Sequence, residues 1–154
     1  MRCLVTGPSG GRSTFIHDVV GEGKTTACSM KDPTTGVETK IDVRWEELDL
    51  GQPAINPDCV LLLMPCWILD ASIHLTWLDR IQTTYPGIPI YTGHSQWDLV
   101  NNTAWTQQMA PVLAVYDQRQ LHTALTSRVD KFGRDTIVQW VVRLGLGNME
   151  LVKI

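Results

Sequence analysis

The segment Leu4-Val5-Thr6-Gly7-Pro8-Ser9-Gly10-Gly11-Arg12-Ser13-Thr14 runs a short apolar strand into a glycine-rich turn. The turn carries one basic residue and several hydroxyls, and it feeds an amphipathic stretch, 13–20, that reads as a helix. Such a turn lets backbone N–H groups converge on an anion at a helix N-terminus, where the helix dipole also favours negative charge. The phosphate-loop pattern is G-x-x-x-x-G-K-S/T. Read without a gap, Gly11 and Ser13 fit it, Arg12 replaces the lysine, and Thr6 replaces the first glycine. Shifted by one residue, Gly7 supplies that glycine and the loop is one residue short. Two readings follow: a phosphate-binding turn, or a plain glycine-rich connection between strand and helix.

At 154 residues the chain is read as one domain, 1–154, large enough to bury a core. A net charge of -3 gives no electrostatic case for nucleic acid or an anionic membrane surface. No apolar run reaches the ~20 residues of a membrane span. The chain starts almost on a strand, so no signal peptide is expected, and neither terminus carries a lipidation motif, so no direct membrane anchor is expected. The four cysteines, Cys3, Cys28, Cys59 and Cys66, show no C-x-x-C spacing, which points to buried thiols in the cytoplasm. The histidines do not cluster with them in sequence, so no zinc site is expected.

Downstream, Gly23-Lys24-Thr25-Thr26 looks like a second phosphate loop, but it follows a helix and Asp18 stands where the first glycine belongs; it reads as a loop with exposed threonines. Residues 26–30 form a short strand, 32–36 a turn, and 39–45 an alternating strand with Ile41, Val43 and Trp45 on one face. The continuous apolar run 60–64 suits a parallel strand buried on both faces. Residues 72–83 read as a helix offering Ile73, Leu75, Leu78 and Ile81 to the core, and 88–92 as a strand. A helix over 102–110 is followed by Pro111, which either kinks it or starts a second one, and 112–118 reads as helix. The last strand is 121–125. The last helix is 130–144, with Asp130 as cap and Phe132, Ile137, Trp140, Val141 and Leu144 on its apolar side. The predicted fold is α/β: a mostly parallel six-stranded sheet with one antiparallel edge hairpin and helices on both faces.

This order resembles that of the Ras-like small GTPases over nearly the whole chain. In that family D-x-x-G-Q follows the third strand, N-K-x-D the fifth and S-A-K the sixth. Leu48-Asp49-Leu50-Gly51-Gln52 and Ser95-Gln96-Trp97-Asp98 stand at the first two places, and Thr123-Ala124-Leu125 or Thr126-Ser127-Arg128 at the third. The stretch 125–130, through 144, is also similar to the Rag subfamily, which carries T-S-x-x-D before its last helix.

The resemblance implies a GTP or GDP site with Mg2+. Gly7, Gly10, Gly11, Arg12, Ser13 and Thr14 would surround the phosphates. Ser13, with Thr25 or Thr26, would face the metal. Gln52 would position the attacking water, Asp98 would accept from the guanine edge, and Ala124 would lie by the base. The chain departs from the family at several of these places. Arg12 is not equivalent to the family lysine. Losing one charge-assisted contact costs roughly 1.5–3 kcal/mol. Leu48 stands where the family aspartate holds the metal through water, and Ser95-Gln96 replaces Asn-Lys. Only 53–58 separates Gln52 from Cys59, too little for the family's mobile helix, and the first switch loop is short. A two-state switch needs a bistable element that the γ-phosphate orders and releases.

The expectation is therefore a degenerate G domain, a pseudoGTPase serving as a regulatory or structural interaction subunit with other protein subunits. The alternative is a GTP-binding, slowly hydrolysing small GTPase. A small-molecule kinase would need an arginine-rich lid, and the sequence has none. Of the six tryptophans, Trp67 and Trp97 sit at strand or loop ends, where they either anchor a partner or fill the core. No catalytic triad is legible around His17, His74, His94 or His122, and His17 and His74 are expected on helix surfaces.

Overall fold

The apolar run in the middle of the chain becomes a strand, Cys59–Pro65, in which every residue is buried. The structure is a computed structural model and describes residues 2–8, 25–31, 34–47, 57–96, 100, 102–126 and 131–146. Its elements are β1 (Arg2–Thr6), β2 (Thr25–Lys31), β3 (Glu38–Glu47), β4 (Cys59–Pro65), α1 (Ala71–Thr84), β5 (Ile90–Ser95), α2 (Asn102–Gln118), β6 (Thr123–Leu125) and α3 (Lys131–Leu146). The helix expected over 13–20 lies outside the described residues.

The strands form one six-stranded sheet in the order β2-β3-β1-β4-β5-β6. Only β2 runs antiparallel, paired with β3 as the predicted edge hairpin; the other four pairings are parallel. The predicted class therefore holds. Alternation along the strands divides the core between the two faces. Leu4, Val60, Leu62, Met64 and Ile90 meet Leu78 and Ile81 of α1 and Trp105, Met109, Val112, Val115 and Tyr116 of α2. Cys3, Val5, Val43, Trp45, Cys59, Leu61 and Leu63 meet Ile137, Val141 and Val142 of α3. Burial on both faces is what makes β4 read as an unbroken apolar run.

One helix reading needs correction, and one is decided. In α1 the side chains turned inward are His74, Leu78 and Ile81, while Ile73 and Leu75 are exposed. Its N-cap is Asp70, which accepts from the Ser72 N–H at 2.9 Å and from its hydroxyl at 2.7 Å. The 74-78-81 stripe faces the sheet. In α2, Pro111 does not start a second helix; of the two readings offered, the single helix through the proline holds. An interior proline costs about 3 kcal/mol. The five buried side chains of α2 contribute about 1.5–3 kcal/mol each, which exceeds that cost. The two helices are also clamped at the surface, where Arg119 donates to Gln82 and Asp79, both at 2.8 Å.

Candidate functional site

Strand β1 leads towards β2 and β3 on one side of the sheet, and β4 leads to β5 on the other. Ligands of open α/β sheets bind at such a reversal, beyond the C-terminal strand ends. Gly7 ends β1 there, with φ of +136°. A Cβ on it would stand 2.2 Å from the Leu63 carbonyl oxygen, so only glycine lets this turn lie against β4. Of the two alignments of the phosphate pattern, the one that uses Gly7 fits this requirement.

Next along the rim, the ends of β4 and β5 are stitched together. The Cys66 N–H donates to the Ser95 carbonyl at 2.7 Å, and the Trp105 indole donates to the Cys66 carbonyl at 2.7 Å. Ser95 is the buried last residue of β5. Gln96 follows with φ of +62°, a left-handed conformation that costs a non-glycine residue about 1–2 kcal/mol. Its amide oxygen accepts from the Trp67 indole N–H at 2.8 Å. The indole itself is 55% exposed. One strand further, the Thr126 N–H donates to the His94 carbonyl at 2.8 Å and ties β6 to β5.

Beneath this rim, on the α1/α2 face, lies a buried polar cluster that the sequence does not announce. The sequence places His74 on a helix surface, but it is fully buried. Its Nε2 lies 2.8 Å from the Ile68 carbonyl and its Nδ1 2.5 Å from the Tyr116 hydroxyl. A carbonyl only accepts, so Nε2 carries the proton and Nδ1 accepts from the tyrosine. His94 packs edge-on against Tyr116 at 5.0 Å between ring centroids, and lies 5.7 Å from His74. Neither His94 ring nitrogen has a hydrogen-bond partner among the described residues. Burial, and secondarily the neighbouring His74, pushes the His94 pKa down to about 3. Burial also lowers that of His74, against the Ile68 carbonyl and Asp70, which favour its charged form. Burial raises the Tyr116 phenol. The 74-78-81 spacing, one helical face, is the sequence signal that could have revealed His74.

The other expected site residues fall as follows. Gly10, Gly11, Arg12, Ser13, Thr14, Gln52 and Asp98, and the shortened switch segments, lie outside the described residues. Ala124 lies within β6, packed against the α3-side core. Thr26 pairs with Val43, one step before the Arg44 that pairs with Arg2. It therefore lies level with the N-terminal end of β1, about 20 Å along the strand direction from Gly7. The structure does not bring Thr26 to the Gly7 end, because the antiparallel β2 begins far down the sheet. Cys3, Cys59 and Cys66 are buried thiols outside any disulfide, as expected. Among the described residues no group of three or more metal-ligating side chains forms, and no helix is long and apolar enough to cross a membrane.

A mostly parallel sheet with one reversed edge strand, and a glycine turn at its point of reversal, defines the class: an α/β fold of the G-domain type. Solved G-domain structures match it. The G domain of the T. maritima FeoB iron transporter has a TM-score of 0.61 and 15% identity, covering 94% of this chain and 98% of that one. A variant of Aquifex aeolicus Era bound to GDP·AlF4− has a TM-score of 0.62 and 10% identity, covering 93% of this chain and 56% of that one. At these identities the likeness is one of fold. No protein-family model matches the sequence, and no curated protein matches it.

Proposed function

We propose that the chain is a G-domain-fold protein with a degenerate guanine-nucleotide site, working as a pseudoGTPase subunit that binds other proteins. The Trp67–Gln96 pair carries this reading. Gln96 stands where the resembled family has the lysine whose stem covers the base, and its amide oxygen is committed to the Trp67 indole. A guanine beside Asp98 would lack that cover, and Arg12 is a poor substitute for the phosphate-loop lysine. The same hydrogen bond holds a large apolar ring in place at the surface. Tryptophan anchors of this kind dominate interface energies. The buried thiols of Cys3, Cys59 and Cys66, none of them in a disulfide, suit a reducing compartment, the cytoplasm.

One observation favours a second reading, a GTP-binding and slowly hydrolysing GTPase with Mg2+: only glycine fits against the Leu63 carbonyl at position 7, where the phosphate pattern's first glycine can fall. In that reading Gly10, Gly11, Arg12, Ser13 and Thr14 hold the phosphates, Ser13 holds the metal, Gln52 orients the water and Asp98 reads the base. Mass analysis of small molecules released from the denatured pure protein separates the two. The first reading expects no stoichiometric nucleotide and no shift in melting temperature with millimolar GTP and Mg2+. A retained guanine nucleotide with a magnesium-dependent shift would overturn it in favour of the second.

A further inference from the structure

We propose that His74, His94 and Tyr116 form an acid-sensitive latch that holds α1 and α2 over the ends of β5 and β6 while both imidazoles are neutral, and that proton uptake releases those ends. This adds regulation to the site proposed above and rests on the β5 and β6 ends being its base side.

The geometry makes a charge hard to accommodate. His74 already donates from Nε2 to the Ile68 carbonyl, so a second proton would sit on Nδ1, facing the Tyr116 hydroxyl that now donates to it. The hydroxyl would have to turn, and the imidazolium would lie beside a second imidazole 5.7 Å away. His94 is harder still: both nitrogens are buried and neither has an acceptor among the described residues. An unpaired buried charge is strongly disfavoured, so the proton binds the opened state.

Among the described residues, the groups facing the cluster offer little compensation. On α1 they are His74 itself and Asp70, an exposed cap already engaged by Ser72. On α2 there is Tyr116. In register with His94 lie Met64 of β4 and Leu125 of β6, both uncharged. The Thr126 hydroxyl lies 3.4 Å from the backbone carbonyl of His94, away from its ring. His94 is also where the rim is tied, because its carbonyl accepts from Thr126 and the adjoining Ser95 carbonyl accepts from Cys66. Opening at His94 therefore loosens both ties.

The test is hydrogen exchange of the whole chain at pH 7.0 and 5.5, corrected for the intrinsic pH dependence, with histidine titration by NMR. With both open-state imidazoles near 6.5, the opening constant rises by up to roughly 70-fold across this interval, and by roughly 8-fold when one histidine remains. The Cys66 and Thr126 amides are expected to lose protection accordingly in the wild type, and much less in His94→Leu, which removes one imidazole without adding a polar group. Unchanged protection of these amides in the wild type would overturn the latch. So would titration of both histidines near 6.5 with protection intact, or an undiminished response in His94→Leu. Should His94→Leu fail to fold, the wild-type exchange and titration decide the matter alone. No nucleotide enters the measurement. Failure of nucleotide binding therefore bears on the functional reading, and unchanged protection bears on the latch.

Discussion

The His74 imidazole accepts a 2.5 Å hydrogen bond from the Tyr116 hydroxyl across the seam between α1 and α2. Both residues are fully buried, so neither can exchange the other for water. Removing one leaves a buried polar atom without a partner, which costs about 1–3 kcal/mol. Tyr116→Phe is therefore expected to lower stability by that amount at pH 7, read as a shifted urea midpoint with an unchanged slope. A midpoint equal to wild type would mean that the hydrogen bond is not made.

The two histidines also set the direction of the pH dependence. Their pKa values are lowered in the folded state, so below 6.5 the unfolded chain binds protons that the folded chain does not. Stability is then highest above 6.5 and falls as the pH drops towards the folded values. For each histidine that stays neutral in the fold, the loss between pH 7.0 and 5.5 is about 1.2 kcal/mol. Urea midpoints across that interval measure it, and a flat profile would contradict the burial of both imidazoles.

Gly7→Ala tests the turn at the end of β1. The new methyl would meet the Leu63 carbonyl at 2.2 Å in a backbone conformation that already disfavours it, for an expected loss of about 3 kcal/mol or more. Gly87→Ala is the control. It also has positive φ, but open space around it, so the expected loss is only about 1–2 kcal/mol. Equal effects of the two substitutions would show that β4 does not confine Gly7.

Trp67→Ala separates folding from interaction. The indole is half exposed and makes one exposed hydrogen bond, so stability should change by less than about 1 kcal/mol. Partner capture from cell extract should fall at least tenfold, as for a hot-spot tryptophan. Asp98→Ala should leave capture unchanged. Loss of capture with Asp98→Ala alone would point instead to a nucleotide-dependent interaction.

Local patterns carried most of the architecture. The run through β4, the alternation of Val43 and Trp45 in β3, and the glycine turn after β1 each report which side chains leave water and where the backbone must bend. These are properties of neighbouring residues, so they are legible along the chain, and they suffice for a mostly parallel sheet with a reversed edge. The sequence left open whether Pro111 kinks one helix or starts another, because the burial that outweighs the proline comes from β4, β5 and α1.

Sequence alone placed the strands and the reversed hairpin, since each follows from short-range sterics or burial period; the demand for glycine at Gly7 came from the Leu63 carbonyl of β4. Packing decided the rest. The phase of α1 turned His74 inward to Tyr116, strand register set Thr26 far from Gly7, and the close of β5 turned Gln96 onto Trp67. Each of these depends on which distant residues meet across the sheet, and residue spacing along the chain does not encode such meetings.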